Sequence, residues 1–245
     1  MKNRIKIMGC YVDNLTMEET LVEIDGLIQS GGFHQHVVVN VDKIVKANKD
    51  ETIKEIINAC SLINVDGMPV VWASKILGMP LKERVAGIDL FEELMKWSAE
   101  KNLNVYLLGA KEEIVQATKQ KYEHIYDHKN IVGCRNGYWS DNEELSVVNH
   151  IKNAKPDILF VAISSPKKEE FLGKFQSVMQ VPFAMGVGGT FDVVAGKVKR
   201  APVWMQKSGL EWFYRFLQEP TRMFKRYFID DMGFVALLIK ELVKK

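Results

Sequence analysis

The feature that most constrains the fold is a regular alternation of short apolar runs with longer amphipathic segments between His34 and Gly188. Apolar runs of about five to seven residues are typical of buried strands, and amphipathic segments between them are typical of crossover helices. The predicted strands are "HQHVVVNVD", "LINVD", "NVYLLGA", "NIVGC", "DILFVAIS" and "PFAMGVG". We therefore predict an α/β fold, in which a Rossmann-like, mostly parallel sheet is flanked by helices.

The helices are predicted from apolar spacing and from the signals at their ends. Thr16 and Glu19 form a capping box before the amphipathic segment "TLVEIDGLIQS". A proline in the first turn predicts a helix from Pro69, and Ser140 is the expected cap of a helix over "SDNEELSVVNHIKNA". Further helices are predicted for "ETIKEIINAC", "DLFEELMKWSAEKN", "KEEIVQATKQKYEHIY" and "PKKEEFLGKFQSVM". The alternation stops at about Gly196.

The segment from Lys197 to Lys245 differs in composition from the rest of the chain. It carries eleven Lys and Arg against five Asp and Glu, a balance of +6, whereas the whole chain of 245 residues has a net charge of +2. It also holds nine of the 24 aromatic residues. We therefore divide the chain into an α/β body, residues 1–196, and a C-terminal helical appendage, residues 197–245. The aromatic and basic residues that characterise the appendage include Trp204, Lys207, Trp212, Phe213, Arg215, Phe216, Arg222, Phe224, Lys225, Arg226, Tyr227 and Phe228.

Three interpretations are compatible with such a basic and aromatic appendage. At a bilayer interface, aromatic rings lie among the headgroups and cations meet anionic lipid, and we favour this interpretation. Packing of the aromatic rings against the body is the second interpretation, although a charge of +6 exceeds what packing requires. Nucleic acid is the third, but the cations are few and no recognition motif accompanies them.

The sequence also bears on the cellular compartment. It has no run of about 20 apolar residues, so we expect no membrane-spanning helix. The start "MKNRIKIMGC" lacks the apolar core of a signal peptide. Cys10, Cys60 and Cys134 are far apart and match neither a disulfide framework nor a metal site. We therefore expect the reducing cytosol.

Candidate site residues follow from the predicted strands, because ligands of open α/β sheets bind at the carboxyl ends of the strands. The ends of the predicted strands are polar or rich in glycine. This criterion selects Asn40, Asn64, Asp66, Gly109, Ser164, Lys168, Gly186, Gly188, Gly189 and Thr190.

Asp66 is the candidate general base, since it is the carboxylate directly at the end of the strand "LIN". A base must reach the hydroxyl that it deprotonates and must lie in a pocket that tunes its pKa. An ordinary surface turn is the alternative interpretation. No two aspartates stand two residues apart, and no histidine has a zinc-like spacing with cysteine, so we predict no metal and no cofactor.

The stretch "MGVGGTFDVVAGKVKRAP" predicts an anion site. Glycines let backbone amides converge on an anion or a sugar ring, with Thr190 and Asp192 just behind them. Cations that follow in the sequence, Lys199 and Arg200 among them, would neutralise a diphosphate. Arg84, before a glycine, is a further candidate for a phosphate or acceptor contact. The alternative is a tight turn from strand to helix with solvated charges.

The chain resembles the WecB/TagA/CpsF family, glycosyltransferase family 26, from about Ile7 to Arg226. The stretches that carry the resemblance are "VDGMPVVWASKILGMPLKERVAGIDLF", "VYLLGAKEE", "GYWS", "MGVGGTFDVVAGKVKRAP" and "GLEWFYRFLQEPTRMFKRY". Together these motifs are highly specific.

The resemblance implies an inverting, metal-independent transferase that moves a sugar from a UDP donor to a lipid-linked sugar. In the best-known members of the family the transferred sugar is N-acetylmannosamine or its uronic acid, and this member would transfer one of these or another hexose. The acceptor implied is an undecaprenyl-diphosphate-linked sugar at the inner face of a bacterial membrane. The products serve wall teichoic acid, enterobacterial common antigen and capsule-type polymers. The proposed base of the family falls on Asp66, and its conserved arginine falls on Arg84. The appendage is thought to bind the membrane and to complete the site, and self-association is expected.

Two positions depart from the family pattern. The family has Thr-x-Asn where this chain has "VVN", so that Val38 replaces a threonine before Asn40. The family has Gly-x-Pro-x-Gln-Glu where this chain has "SSPKKE", with Ser164 for glycine and Lys168 for glutamine. These changes alter the hydrogen-bond inventory. We therefore predict a donor or acceptor that differs from the N-acetylmannosamine system, with the same chemistry.

Two other classes of function are compatible with parts of the sequence. A dinucleotide-dependent oxidoreductase shares the sheet, but it should show Gly-x-Gly-x-x-Gly after its first strand, and "VDNLTMEE" lacks that pattern. A non-catalytic membrane or protein adaptor would explain the appendage, but it would not explain the polar strand ends.

Overall fold

A computed structural model describes residues 3–127, 129–165, 167–225, 227 and 231–243, without the side chains of Lys207 and Arg222. Arg226 and Phe228 of the predicted appendage lie outside the described residues, as does Pro166 of the stretch "SSPKKE".

The centre of the molecule is a six-stranded sheet in which every neighbouring pair is parallel, in the order β4-β3-β8-β7-β5-β6. This confirms the predicted α/β class and the parallel sheet. Strands β4, β5, β7 and β8 are buried along their whole length, because helices cover both faces of the sheet. The strands are β3 His34–Val39, β4 Leu62–Val65, β5 Val105–Gly109, β6 Ile131–Arg135, β7 Ile158–Ala162 and β8 Phe183–Gly186.

A two-stranded antiparallel hairpin precedes the main sheet and was not predicted from the sequence. It consists of β1, Arg4–Ile7, and β2, Cys10–Asp13. Asp13 ties it to the body, because its carboxylate accepts hydrogen bonds from Arg4 Nε and from the Ile63 amide of β4, each at 2.8 Å. The hairpin strands are four residues long, which is too short for a clear periodic pattern.

The helices of the body follow the predicted alternation. The capping box of α1 is present, with Thr16 Oγ1 accepting from the Glu19 amide and Glu19 Oε2 accepting from the Thr16 amide. Ser140 caps a short 3₁₀ turn, Asp141–Glu143, which leads into α7. The helices are α1 Met17–Ser30, α2 Val41–Lys49, α3 Glu51–Ala59, α4 Met68–Ile76, α5 Gly87–Lys101, α6 Glu112–Tyr126, α7 Glu144–Ala154, α8 Lys167–Met179 and α9 Thr190–Val194.

The described residues after 196 form helices that fold back onto the body. These helices are α10 Val203–Lys207, α11 Glu211–Gln218, α12 Pro220–Lys225 and α13 Gly233–Val243. Phe234 of α13 is 7% exposed and joins the core that contains Ile44 and Val45 of α2. Gly209 packs so closely on α4 that a β-carbon there would lie 2.7 Å from Met68 Cγ. The predicted division at residue 196 stays a prediction, and no described helix is long and apolar enough to cross a membrane.

Candidate active site

The sheet order places the predicted strand ends in a row along the carboxyl edge, with two different characters. At one end, the charged half consists of Asn40 and Asp66, which follow β3 and β4, of Arg84 beside Asp66, and of Glu211 and Arg215, which face them across a cleft. At the other end, the glycine half consists of Gly109, Ser164, Gly186, Gly188 and Gly189, which end or follow β5, β7 and β8.

The cleft of the charged half has a volume of about 510 Å³ and lies between the sheet edge and the helices after residue 196. The body supplies the floor through Asn40, Asp66 and Arg84, and α11 supplies the opposite wall through Glu211 and Arg215. The C-terminal helices therefore form part of the cleft in which Asp66 lies.

Local backbone structure aims Asp66 into this cleft. Its amide donates to the Val39 carbonyl at 2.9 Å, which continues the ladder between β3 and β4 by one residue. Gly67 then adopts a φ of 129°, which favours glycine and turns the chain into α4. The Asp66 side chain stays 33% exposed, and its Oδ2 accepts from the Gly87 amide at 3.3 Å. Asp66 thus lies at the floor of a cleft, unlike a residue of a plain surface turn.

The surroundings of Asp66 raise the pKa of its carboxyl group. Burial raises the pKa of its carboxyl group above the ordinary value, because the protein walls disfavour the charged form. The Arg84 guanidinium, the Gly87 amide and the Arg215 guanidinium oppose that rise, whereas the Glu211 carboxylate adds to it. A carboxylate with a raised pKa beside a cation is the arrangement expected of a general base.

Arg84 is held among carboxylates from three parts of the chain. Its Nη1 donates to Glu211 Oε2 at 2.5 Å and lies 4.0 Å from Asp66 Oδ1, and its Nη2 lies 3.9 Å from Asp89 Oδ2. Arg200, predicted to neutralise a diphosphate, pairs with Asp89 at 2.6 Å and with Glu211 at 3.4 Å. Both arginines are therefore already paired with protein carboxylates.

In the glycine half, two glycines are closely packed. Gly109 has a φ of 127°, and a β-carbon there would overlap the carbonyl oxygen of Ala162 on β7. A β-carbon at Gly186 would overlap only the end of the flexible Lys168 side chain, which would have to move. Gly109 therefore has a structural reason apart from a ligand.

The other glycines of this half face open space. Gly188 has a φ of 54°, and a β-carbon at Gly188 or Gly189 would meet nothing within 4 Å. Thr190 is buried, and its hydroxyl donates to the Val187 carbonyl at 2.7 Å, while Asp192 pairs with Lys197 at 3.4 Å. The turn after β8 therefore exposes backbone at Gly188 and Gly189, where a ligand can approach closely.

Two predicted site residues lie in the interior. Asn64 is 0% exposed, its Oδ1 accepts from His36 Nε2, and its Nδ2 donates to Thr20 Oγ1, each at 3.0 Å. Lys168 is 4% exposed, and its Nζ pairs with Glu169 Oε1 at 3.0 Å. The structure places neither side chain at the cleft. Ser164 and Lys199 are exposed at the surface instead.

Sequence reasoning did not single out Glu211 or Tyr138 as site residues, and it named Arg215 only as an appendage cation. Glu211 and Arg215 reach the cleft because α11 folds onto the body, 127 residues from Arg84 in the case of Glu211. Tyr138 follows β6, is 68% exposed, and lies in a loop whose Gly137 amide donates to the Ala110 carbonyl beside the glycine half. The quoted motifs "GLEW" and "GYWS" contain Glu211 and Tyr138, but no pattern marks them as neighbours of the site.

Comparison with known proteins decides the class of this site. The model of the glycosyl transferase WecG/TagA/CpsF family matches residues 5–245. The chain belongs to the WecG/TagA/CpsF glycosyltransferase family. It is similar to an N-acetylglucosaminyldiphosphoundecaprenol N-acetyl-beta-D-mannosaminyltransferase of Bacillus subtilis (strain 168), with 35% identity over 207 residues, 84% of this chain and 80% of the relative.

Membership of the WecG/TagA/CpsF family confirms the predicted resemblance and the enzyme class. The protein is a glycosyltransferase, which overrules both the oxidoreductase and the non-catalytic adaptor. Within the described part of the chain, no group of three or more His, Cys, Asp or Glu side chains is arranged to hold a metal ion. The predicted metal independence stays a prediction.

Proposed function

We propose that this family member transfers a sugar from a UDP-linked donor to an undecaprenyl-diphosphate-linked sugar, with inversion at the anomeric carbon. The observation that carries the proposal is the Asp66 carboxylate, which is one-third exposed at the floor of a cleft and has an arginine 4.0 Å away. The relative from Bacillus subtilis, whose name describes a transferase acting on a diphosphoundecaprenol acceptor, supports the choice of acceptor.

The reaction is a single displacement. The acceptor hydroxyl oxygen attacks the anomeric carbon of the donor, and its proton passes to Asp66. The bond between the anomeric carbon and the UDP oxygen breaks, and UDP leaves with the electron pair. Burial raises the pKa of Asp66, which makes its carboxylate a stronger base than an ordinary one.

The leaving diphosphate needs fixed dipoles and cations, since its charge develops in the transition state. Arg84 and Arg215 supply cations on the cleft walls. The exposed backbone at Gly188 and Gly189 supplies room for close approach of the nucleotide. Tyr138, exposed beside the glycine half, offers a ring on which a base can stack. In this arrangement the nucleotide lies along the glycine half and the sugar reaches Asp66.

The preference for a donor sugar is proposed to depend on the positions that depart from the family pattern. Of the two departures from the family pattern, Val38 lies near the base, because both flank Gly87: a β-carbon there would lie 3.6 Å from the Val38 methyl groups and 3.8 Å from Asp66 Oδ2. Lys168 is buried and paired with Glu169. A methyl group in place of a hydroxyl near Asp66 therefore supports a change in donor preference at position 38.

The helices after residue 196 are proposed to bind the inner face of the cell membrane. Many of their apolar side chains are between 39% and 82% exposed, which is unusual for a soluble surface. Cations interleaved with them favour anionic lipid. These side chains are Val203, Trp204, Trp212, Phe213, Leu217, Phe224, Met232, Val235, Ile239, Leu242 and Val243. Self-association of the chain also stays a prediction.

The deciding experiment offers the purified full chain a panel of UDP-sugars with a short prenyl-diphosphate-linked N-acetylglucosamine acceptor. We expect release of UDP and a disaccharide product of inverted configuration, from UDP-N-acetylmannosamine or from another member of the panel. A clear preference for UDP-N-acetylmannosamine would reject the predicted change of donor while supporting the reaction. Transfer from no UDP-sugar, together with no UDP binding by calorimetry, would reject the proposed reaction itself.

A further inference from the structure

Four charged side chains form a closed ring at the edge of the charged half. Arg84 and Glu211 are 2.5 Å apart, Glu211 and Arg200 are 3.4 Å apart, Arg200 and Asp89 are 2.6 Å apart, and Asp89 and Arg84 are 3.9 Å apart. Positive and negative groups alternate, so the ring is neutral. It joins the loop before α5, α5 itself, the segment after residue 196 and α11.

Three of the four side chains in the ring are largely shielded from water, and Asp89 is about one-third exposed. The exposed fractions of the side chains are 15% for Arg84, 20% for Glu211, 21% for Arg200 and 36% for Asp89. Partly buried pairs are screened less by salt than exposed ones, and carboxylate–guanidinium hydrogen bonds fix geometry as well as energy. The ring is therefore suited to hold side chains in place at the cleft.

We propose that Glu211 is a positioning residue for the transfer, which holds α11 on the body and keeps the Arg84 guanidinium off the base. The proposal rests on the proposed function, since it takes Asp66 as the base and Arg84 as a contact of the leaving diphosphate. Arg200 belongs to this ring, whereas the sequence predicted that it would contact the diphosphate.

The competition for Arg84 explains why a carboxylate at position 211 matters. Besides Glu211, the carboxylates near Arg84 are Asp89 at 3.9 Å and Asp66 at 4.0 Å. If the Arg84 guanidinium moved onto Asp66, it would form an ion pair with the base and would no longer contact the diphosphate of the donor. Glu211 engages Nη1 at 2.5 Å and thereby holds the guanidinium at its distance from Asp66. Small displacements of this kind are enough to lower turnover about a hundredfold.

A double-mutant cycle on the full chain tests the coupling. The affinity for UDP is measured by calorimetry for the wild type, Arg84→Ala, Glu211→Gln and the double variant. If Glu211 acts through Arg84, each single change weakens UDP binding about tenfold or more, as expected for loss of a charged hydrogen bond. The double variant should then bind no more than about twofold more weakly than either single variant.

Several outcomes overturn the proposal. Tighter UDP binding by Glu211→Gln would make Glu211 a competitor of the diphosphate. Unchanged binding, or losses that multiply in the double variant, would remove the coupling to Arg84. Glu100→Gln is the matched control, because Glu100 is an exposed glutamate near the C-terminal end of α5, away from the carboxyl edge of the sheet, and this variant should bind UDP as the wild type does.

A second measurement needs no nucleotide and separates this proposal from the choice of donor. Limited proteolysis of the substrate-free chain should cleave the segment after residue 200 about tenfold faster in Glu211→Gln than in the wild type and the Glu100→Gln control. Equal cleavage rates would overturn the holding role of Glu211. If the wild type binds no UDP, the proposal of a UDP-linked donor is rejected. The proteolysis result still decides whether Glu211 holds α11 on the body.

Discussion

The charged half and the glycine half lie along one carboxyl edge, yet they are built in opposite ways. In the glycine half, the decisive features belong to the backbone, such as the φ of 127° at Gly109 and the open turn at Gly188 and Gly189. In the charged half, the decisive features are side chains that meet from distant parts of the chain, such as Arg84 and Glu211. Each turn of the glycine half can therefore be recognised from its own stretch of sequence, whereas the charged half exists only after folding.

Because of this difference, we expect substitutions in the two halves to affect different properties of the protein. Changes in the charged half should reduce catalysis while the fold persists, because its residues are partly exposed at the cleft. Changes at the tightly packed glycines should reduce stability first, because they strain the sheet itself. A substitution in the charged half that mainly lowers stability, or one at a packed glycine that lowers only activity, would contradict this distinction.

The largest effect is expected for Asp66→Asn. Removing a general base lowers turnover about 10²–10⁴-fold, and the amide keeps the size of the side chain, so the fold should persist. Initial rates of UDP release and the melting temperature measure the two expectations. Asp127→Asn, an exposed aspartate at the opposite edge of the sheet, should retain full turnover. A fully active Asp66→Asn would remove Asp66 from the mechanism.

The next effect is expected for Gly109→Ala, which should destabilise the fold by about 2–4 kcal/mol. The β-carbon would overlap the Ala162 carbonyl at a positive φ, so the backbone must shift. Chemical denaturation measures the loss. Gly26→Ala is the control, because Gly26 lies within α1 with open space around it and should gain about 0.5–1 kcal/mol. A stable but inactive Gly109→Ala would contradict a packing role for this glycine.

For Arg84→Met we expect about a hundredfold lower kcat/KM and a displaced pH profile. The Arg84 cation holds the pKa of Asp66 below the value that burial alone would give. Its removal raises that pKa further, and a base works only when deprotonated. The acid limb of kcat/KM should therefore move to higher pH.

The pH profile has its own control in Arg84→Lys. This variant keeps the charge near Asp66, so its acid limb should stay closer to that of the wild type, although a lysine lacks the planar fork by which Arg84 reaches Glu211 and Asp89 through separate nitrogens. A shift of the Arg84→Met limb to lower pH would contradict the assignment of this limb to Asp66.

The smallest effect is expected for Val38→Thr, which restores a hydroxyl beside Asp66. One added hydrogen bond contributes about 1 kcal/mol, so the ratio of kcat/KM values between two UDP-sugars should change by about fivefold or less. Lys168→Gln should leave that ratio unchanged, because Lys168 is 4% exposed and paired with Glu169. A change in donor ratio with Lys168→Gln alone would contradict the interior position of this lysine.

Much of the body was predictable because its signals are local. The alternation of apolar runs and amphipathic segments predicted the parallel sheet, and Thr16 and Glu19 predicted the cap of α1. The hairpin β1–β2 was missed because four-residue strands show too little periodicity. Asn64 was expected at the site because it stands near a strand end, but its side chain points into the core toward His36 and Thr20. Spacing along a strand does not reveal which polar side chain already has an internal partner.

By itself, the sequence determined the fold class, the carboxyl-edge turns with their glycines and the motifs of the family, since all of these depend on neighbouring residues. Only the tertiary structure decided that α11 closes the cleft, that Glu211 and Arg84 meet at 2.5 Å, and that Lys168 lies in the interior. Electrostatic interactions depend on distance through space, and residues that are 127 positions apart acquire that distance only when the chain has folded.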